Sequence, residues 1–307
     1  MRIAVMGTGG LGGAIGGLLA RAGEDVSFVA RGPHLEAMTT RGLTIKSSLA
    51  GDFTIRAPAT NDPAEIGPVD LIVFGVKLYD LERAAEQVRP MVGPSTVILP
   101  IQNGIDAAER IGRIVGPDAV IGGTATVGGR IEEPGVIAHT ALANTITCGE
   151  LPGGISSRTE RVREVLERAG FNALTHPDIR VPLWEKFVPL AATGSVMAAT
   201  RLTAGPIRSC PETRALCIGM MEEIAAVGRA HGVAIAPDLI ERQVAFLDQV
   251  PPMARTSLAA DLLNGRRLEL ESLNGAVVRL GQQAGVPTPL NFAIYAALKP
   301  YVDGAPT

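Results

Sequence analysis

The sequence predicts an α/β fold: an N-terminal, mostly parallel sheet domain followed by an all-helical C-terminal domain. Short apolar runs alternate with helical patterns as far as about residue 175, and strand signals then nearly vanish. Strands alternating with helices imply βαβ units and a parallel sheet. A glycine cluster between the first apolar run and the first helix is the further observation. At roughly 100–200 residues per domain, 307 residues suit two. The expected boundary lies near residue 178, giving domains 1–178 and 179–307.

The elements follow in order. Arg2–Met6 reads as a strand, Gly10–Ala22 as a helix of small residues and Val26–Ala30 as a second strand. Leu71–Val76 is an uninterrupted apolar run, as a parallel strand buried on both faces produces. Tyr79–Arg89 reads as a helix stopped by Pro90, and Thr96–Ile101 as a strand ending at Gln102-Asn103-Gly104. Val120–Ile121 continues the alternation. Gly135–His139 and Asn144–Cys148, a short turn apart, are expected to form an antiparallel pair. Ser157–Ala169 interleaves Arg and Glu on an amphipathic helix with a solvated face. Beyond Thr175-His176-Pro177, helices are expected over Pro182–Thr200, Pro211–His231, Pro237–Val250, Glu269–Ala284 and Pro287–Tyr301. In the fourth of these, Leu270, Leu273, Val277 and Leu280 recur at helical spacing and define one buried face.

Composition removes several function classes. With 46% hydrophobic residues and a formal charge of −3, the chain is neither disordered nor a basic nucleic-acid binder. Met1–Ala22 is apolar and carries Arg2, the texture of a signal peptide or membrane span, but Gly7, Gly9, Gly10, Gly12, Gly13, Gly16 and Gly17 interrupt it. No membrane partner is expected. Cys148, Cys210 and Cys217 form no C-x-x-C pair, which points to a reducing, cytoplasmic setting. His34, His139, His176 and His231 lack metal-ligand spacing, so no metal site is expected. Neither a serine-hydrolase elbow nor an ATP-binding P-loop signature is present.

Gly7-Thr8-Gly9-Gly10-Leu11-Gly12 is a G-x-G-x-x-G between a strand and a helix. The first glycine allows the tight turn, and the second lets a pyrophosphate approach the backbone. The third lets helix and strand pack closely, while the helix N-terminus faces the anion. The competing reading is a glycine-rich packing turn. An NAD site usually carries an acid roughly 20 residues further on, bonded to the ribose hydroxyls. Here the second strand ends in Arg31. A guanidinium binds a 2′-phosphate that a carboxylate repels, so NADP is favoured over NAD. The plain alternative is that Arg31 is a solvated turn residue.

Lys77 follows one strand, Gln102-Asn103-Gly104 follows the next, and Trp184-Glu185-Lys186 opens the first helix of the second domain. Ser257 and Glu269 lie twelve residues apart. With the glycines and Arg31, this order resembles the ketopantoate reductase (2-dehydropantoate 2-reductase) family over essentially the whole chain. The resemblance implies a Rossmann domain, a helical domain and NADPH held in a cleft between them. It implies reduction of a 2-oxo acid, 2-dehydropantoate to pantoate in pantothenate biosynthesis, by a homodimer. It casts Lys186 as the catalytic acid and a substrate contact, and Lys77 as a cofactor contact. Asn103 would touch cofactor and substrate, Ser257 the substrate carboxylate, and Glu269 the nicotinamide end of the cofactor.

The residue types suit that chemistry on their own. Hydride addition turns a ketone oxygen into a developing alkoxide, which a nearby ammonium stabilises and protonates. Lys186 sits beside Trp184 in an apolar helix, where its head group is expected to reach a cleft; otherwise it is a snorkelling lysine. Asn103 also reads as a turn residue and Glu269 as a helix-dipole partner.

Family members place asparagines four and eight residues beyond the lysine, where this chain has Leu190 and Gly194. That substitution puts the hydroxylated substrate in question, with Thr193 and Ser195 as partial substitutes. It leaves open a related hydroxyacid or opine-type dehydrogenase with a more apolar substrate. A non-catalytic NADP(H) sensor is the reading from a different class.

Overall fold

Side chains alternating along apolar strands build two cores on opposite faces of one sheet. In the computed structural model, residues 1–140 and 144–306 are described, and the chain divides into two compact units, Met1–Ile179 and Arg180–Thr307. The first unit begins with β1 (Arg2–Met6), α1 (Gly10–Arg21), β2 (Asp25–Val29) and α2 (Gly32–Arg41). Then come β3 (Leu43–Ser47), β4 (Phe53–Ile55), β5 (Ala59–Thr60), β6 (Val69–Phe74), α3 (Leu81–Gln87), β7 (Val92–Pro100) and α4 (Ala107–Val115). A parallel sheet of order β5-β2-β1-β6-β7 results.

Ile3, Val5, Leu71, Val73 and Leu99 face one core, with Ile15 and Leu19 of α1. Ala4, Met6, Ile72, Phe74 and Ile98 face the other, with Leu81 and Ala85 of α3 and Ile111 of α4. Both faces are covered, so the strands carry no polar alternation. The order also carries β1 to the middle of the sheet, with the glycine turn at its carboxyl end.

The rest of the unit comprises β8 (Gly122–Thr126), β9 (Gly129–Glu133), β10 (Val136–His139), β11 (Thr145–Gly149), α5 (Ser157–Arg168) and β12 (Asn172–Thr175). Two small sheets form, of order β4-β3-β10-β9 and β12-β11-β8. The expected antiparallel pairing of Gly135–His139 with Asn144–Cys148 is therefore wrong. β10 pairs antiparallel with β9 and β11 with β8. The turn that closes a hairpin is Pro134-Gly135, with Gly135 at φ +81°, so β10 folds back on the strand before it. Residues 141–143, within the turn expected between the two segments, lie outside the described residues.

The second unit is helical among its described residues: α6 (Arg180–Thr200), α7 (Ala204–Ser209), α8 (Pro211–Ala230), α9 (Leu239–Gln249), α10 (Ser257–Leu263), α11 (Asn274–Ala284) and α12 (Pro289–Leu298). α6 is apolar nearly all round and packs against α8, α10 and α12, as expected of a central helix. Its residues Ala191, Ala192, Gly194, Ser195 and Ala198 are small and buried, which admits the neighbouring helices closely. Trp184 anchors its first turns, stacked edge-on with Phe187 at 5.8 Å between centroids and packed on Gly228.

A buried polar chain crosses this unit. Asn274 Nδ2 donates to Asn291 Oδ1 at 3.1 Å and to Ser195 Oγ at 3.3 Å, and Asn291 Nδ2 donates to Glu223 Oε2 at 2.7 Å. The Glu223 carboxylate also accepts the Leu290 and Asn291 amides at the start of α12, where an anion suits the helix dipole. The helix expected over Glu269–Ala284 is in fact broken. Leu270–Ser272 forms a 3₁₀ turn, and Leu273, at φ −101° and ψ −102°, separates it from α11. Periodicity saw one apolar face because Leu270, Leu273 and Val277 are all buried, irrespective of the break.

Candidate functional site

The glycine turn joins β1 to α1 under tight backbone constraints. Gly7 has φ +96°, and a Cβ there would lie 2.8 Å from the Val76 amide nitrogen. Only glycine meets both conditions. A Cβ on Gly12 would collide with the Gly7 carbonyl, so the third glycine keeps α1 against the turn. Gly10 is held by protein packing, since a Cβ there would strike Gly129 of β9. Gly9 differs: a Cβ built on it meets nothing within 4 Å. That open space lies at the N-cap of α1, where no side chain caps the helix and no acid occupies the first turn. Bare backbone N–H groups at a helix N-terminus, beside open space, form an anion-binding surface. Thr8 is buried and ties the turn to the next strand, its amide and its hydroxyl both donating to the Val29 carbonyl at 3.1 and 3.0 Å. Leu11 is half-buried in the first turn of α1.

The neighbouring strand ends present the other expected cofactor residues. Arg31 is the N-cap of α2, just past β2, and its side chain is 76% exposed. Its Nη2 donates to Asp80 Oδ2 at 3.1 Å. Asp80 also bonds Arg83, at 3.2 Å, so one carboxylate bridges two guanidinium groups. Sequence reading did not find Asp80, whose distance of 49 residues from Arg31 leaves no local signal. Lys77 follows β6, half-buried, at the N-cap of the 3₁₀ turn Leu78–Asp80. Asn103, also half-buried, follows β7 in a loop whose Gly104 packs on Leu78. The carboxyl ends of β1, β6 and β7 thus bring Gly7–Gly12, Lys77 and Asn103 together, the edge where open parallel sheets bind ligands.

The second unit gathers a different set. Lys186 lies on α6 two residues beyond buried Trp184. Burial lowers its pKa from the usual 10.5 to about 8, and the nearby Glu269 carboxylate partly opposes that shift. Glu269 is 9% exposed and forms the N-cap of the Leu270–Ser272 turn, so its carboxylate heads a 3₁₀ turn and not α11. Ser257 is exposed on the first turn of α10. Its neighbour Thr256 caps that helix by accepting the Ala259 amide at 3.4 Å. A Cβ on Gly194 would meet Thr256 Oγ1 at 3.5 Å, ordinary contact. Position 194 therefore faces the Thr256–Ser257 corner.

Thr193 and Ser195, the possible substitutes for asparagine, are committed elsewhere. Their hydroxyls donate to the Pro189 and Ala191 carbonyls, each at 2.6 Å. Such bonds to the preceding turn leave little donor capacity for a ligand.

Each histidine makes a hydrogen bond within the chain. His34 Nδ1 accepts the Gly135 amide, His176 Nδ1 accepts the Asp178 amide, and His139 and His231 bond Ser47 Oγ and the Leu280 carbonyl. No helix among the described residues is long and apolar enough to cross a membrane.

Comparison with known proteins identifies the family. Residues 3–153 match the family model for ketopantoate reductase PanE/ApbA, and residues 178–302 match the model for its C-terminal part. The chain is 32% identical to a 2-dehydropantoate 2-reductase of Mesorhizobium japonicum, over 97% of either protein. The crystal structure of 2-dehydropantoate 2-reductase from Geobacter metallireducens superposes with a TM-score of 0.92 and 31% identity, covering 97% of this chain and 99% of that one. A D-mandelate dehydrogenase shares the fold at a TM-score of 0.91 and 20% identity, over 98% of both chains. By sequence along nearly all its length and by architecture, the chain is an oxidoreductase belonging to the ketopantoate reductase family.

Proposed function

We propose that this protein reduces a 2-oxo acid to the 2-hydroxy acid with NADPH, and that 2-dehydropantoate, giving pantoate, is its substrate. The observation that carries the reading is Lys186: a lysine whose burial brings its ammonium near the working pH range, with the Glu269 carboxylate close by. An amine poised there is a proton donor, whereas a solvated lysine at the usual 10.5 holds its proton too tightly.

The residues present suit a dinucleotide. Gly9 leaves open space over the uncapped end of α1 for the pyrophosphate, and Arg31 offers a guanidinium for the 2′-phosphate. Lys77 and Asn103 stand at the adjoining strand ends. NADPH, when bound, supplies the hydride to the carbonyl carbon. Lys186 Nζ stabilises the negative charge developing on the carbonyl oxygen and passes its proton there. Glu269 favours the ammonium form that makes the transfer possible. Ser257 and Asn103 would fix the substrate.

A second reading has a specific observation behind it. Leu190 and Gly194 offer no amide, and the Thr193 and Ser195 hydroxyls are taken by backbone carbonyls. That favours an unhydroxylated, more apolar 2-oxo acid over 2-dehydropantoate. Oxidation of NADPH measured against 2-dehydropantoate and a panel of branched, unhydroxylated 2-oxo acids decides between them. Preference for the panel removes the pantoate assignment; tight NADPH binding without turnover of any oxo acid removes the enzyme reading in favour of a sensor.

Arg31→Asp tests the phosphate role. It should shift the ratio of kcat/KM for NADPH over NADH toward NADH by about 10- to 100-fold, because a charge-assisted partner is lost and a repelling carboxylate gained. Asp80, 3.1 Å from Arg31, would then lack its guanidinium partner at position 31, adding to the repulsion. An unchanged ratio removes Arg31 from the site. The family relationship further supports a cytoplasmic homodimer acting in pantothenate biosynthesis; light scattering that returns a single chain's mass would remove the dimer.

A further inference from the structure

Asn274 links the two chain segments that carry the proton chemistry. It is fully buried, and its Nδ2 reaches two points one turn apart on α6, the Ala191 carbonyl at 3.5 Å and Ser195 Oγ at 3.3 Å. Lys186 lies five residues before Ala191 on the same helix. Asn274 also follows Glu269 by five residues, and the chain between them has little freedom. The Ser272 and Leu273 amides both donate to the Glu269 carbonyl at 3.1 Å. One side-chain amide thus ties the segment that carries Glu269 to the helix that carries Lys186.

The tie is anchored from behind. Asn291 Oδ1 accepts from Asn274 Nδ2, and Asn291 Nδ2 donates to the Met220 carbonyl at 3.2 Å as well as to Glu223. Elements α8 and α12 therefore hold the same amide in place. Stability alone does not account for it. Asn274 Oδ1 is buried without a hydrogen bond, a cost that an apolar side chain of the same size avoids. What an apolar side chain lacks is the directional bond to α6.

We infer that Asn274 is a positioning residue for the reaction: it clamps the Glu269 turn onto α6 and so sets how closely the Glu269 carboxylate approaches the Lys186 ammonium. The inference rests on the reductase reading above, in which Lys186 is the proton donor. Glu269 is the charge that bears on Lys186, opposing the effect of burial. Charged groups on the elements around α6 pair elsewhere: Glu223 of α8 with the α12 amides, Arg214 of α8 with Asp248, and Asp261 of α10 with Arg266. Glu271, ahead of α11, pairs with Lys299.

Asn274→Leu keeps the volume and removes the tie. The titration of Lys186 is read without substrate, by NMR of the full chain labelled at lysine Cε, with Lys186→Met assigning the signal. With Glu269 released, the Lys186 pKa should fall below about 8. At native NADPH affinity, kcat should drop about 10-fold as the donor loses its alignment. In a Glu269→Gln background the same substitution should move Lys186 no further. Ser195→Ala, which removes one acceptor on α6, should give a smaller fall in the same direction, and it decides the matter if Asn274→Leu does not fold. Loosened packing alone admits water and raises the pKa. A pKa that stays or rises in the folded variants, or that falls equally in the Glu269→Gln background, overturns the clamp. A native chain whose Lys186 titrates as expected, but which turns over no 2-oxo acid, overturns the reductase reading and not the tie.

Discussion

Replacing Lys186 by Met should lower kcat for 2-oxo acid reduction by about 10²- to 10⁴-fold, the usual share of a positioned general acid. NADPH affinity should stay near native, because the glycine turn and Arg31 belong to the other unit. The pH dependence carries a sign. The donor is the ammonium, so kcat/KM for reduction should be level at low pH and fall as pH rises through about 8, the value to which burial brings Lys186. Stability should move the opposite way. In the unfolded chain the lysine titrates near 10.5, so between about 8 and 10.5 the unfolded state binds more protons and stability rises with pH. Below about 8 the folded chain carries a buried charge that it holds at a cost. Lys186→Met should therefore resist denaturant better than native at pH 7 while losing its activity, as expected where a strained site serves function. A folded variant that keeps native kcat removes Lys186 as the donor.

The candidate site is built from residues the sequence exposes in unequal measure. The glycine turn is legible because its constraint is local: Gly7, Gly9 and Gly12 serve one turn of backbone. The parallel strands are legible because burial on both faces leaves runs such as Leu71–Phe74 without a polar residue. Lys186 stands out as a charge directly before an uncharged stretch, Phe187–Thr200. What escapes reading is contact between distant residues. Asp80 beside Arg31, and Asn274 beside Asn291 and Ser195, depend on chain crossings that no spacing encodes. The pairing of β10 escaped for the same reason, since its parallel partner β3 lies some ninety residues earlier. The break at Leu273 escaped because burial, not backbone geometry, sets the hydrophobic period.

Leu190→Asn combined with Gly194→Asn should raise kcat/KM for 2-dehydropantoate, relative to an unhydroxylated branched 2-oxo acid, by about 10- to 100-fold. The lower figure is what two neutral hydrogen bonds contribute, and the upper reflects the penalty on a ligand that leaves buried amides unpaired. Both positions lie one and two turns beyond Lys186 on α6, so new amides would project along the same helix face. A Cβ at 194 meets the Thr256 side chain at 3.5 Å, ordinary contact. Asparagine also suits a helix interior slightly better than glycine. Leu190 is half-buried, so its replacement costs some apolar packing without opening a fully enclosed cavity. The native side chains nearby cannot already supply these bonds, because Thr193 and Ser195 donate to Pro189 and Ala191. If the native chain already prefers 2-dehydropantoate and the double variant leaves the ratio unchanged, substrate polarity is read elsewhere, with Ser257 and Asn103 the next positions to change. If the ratio moves as expected, the first turns of α6 after Lys186 decide which 2-oxo acid this member of the family reduces.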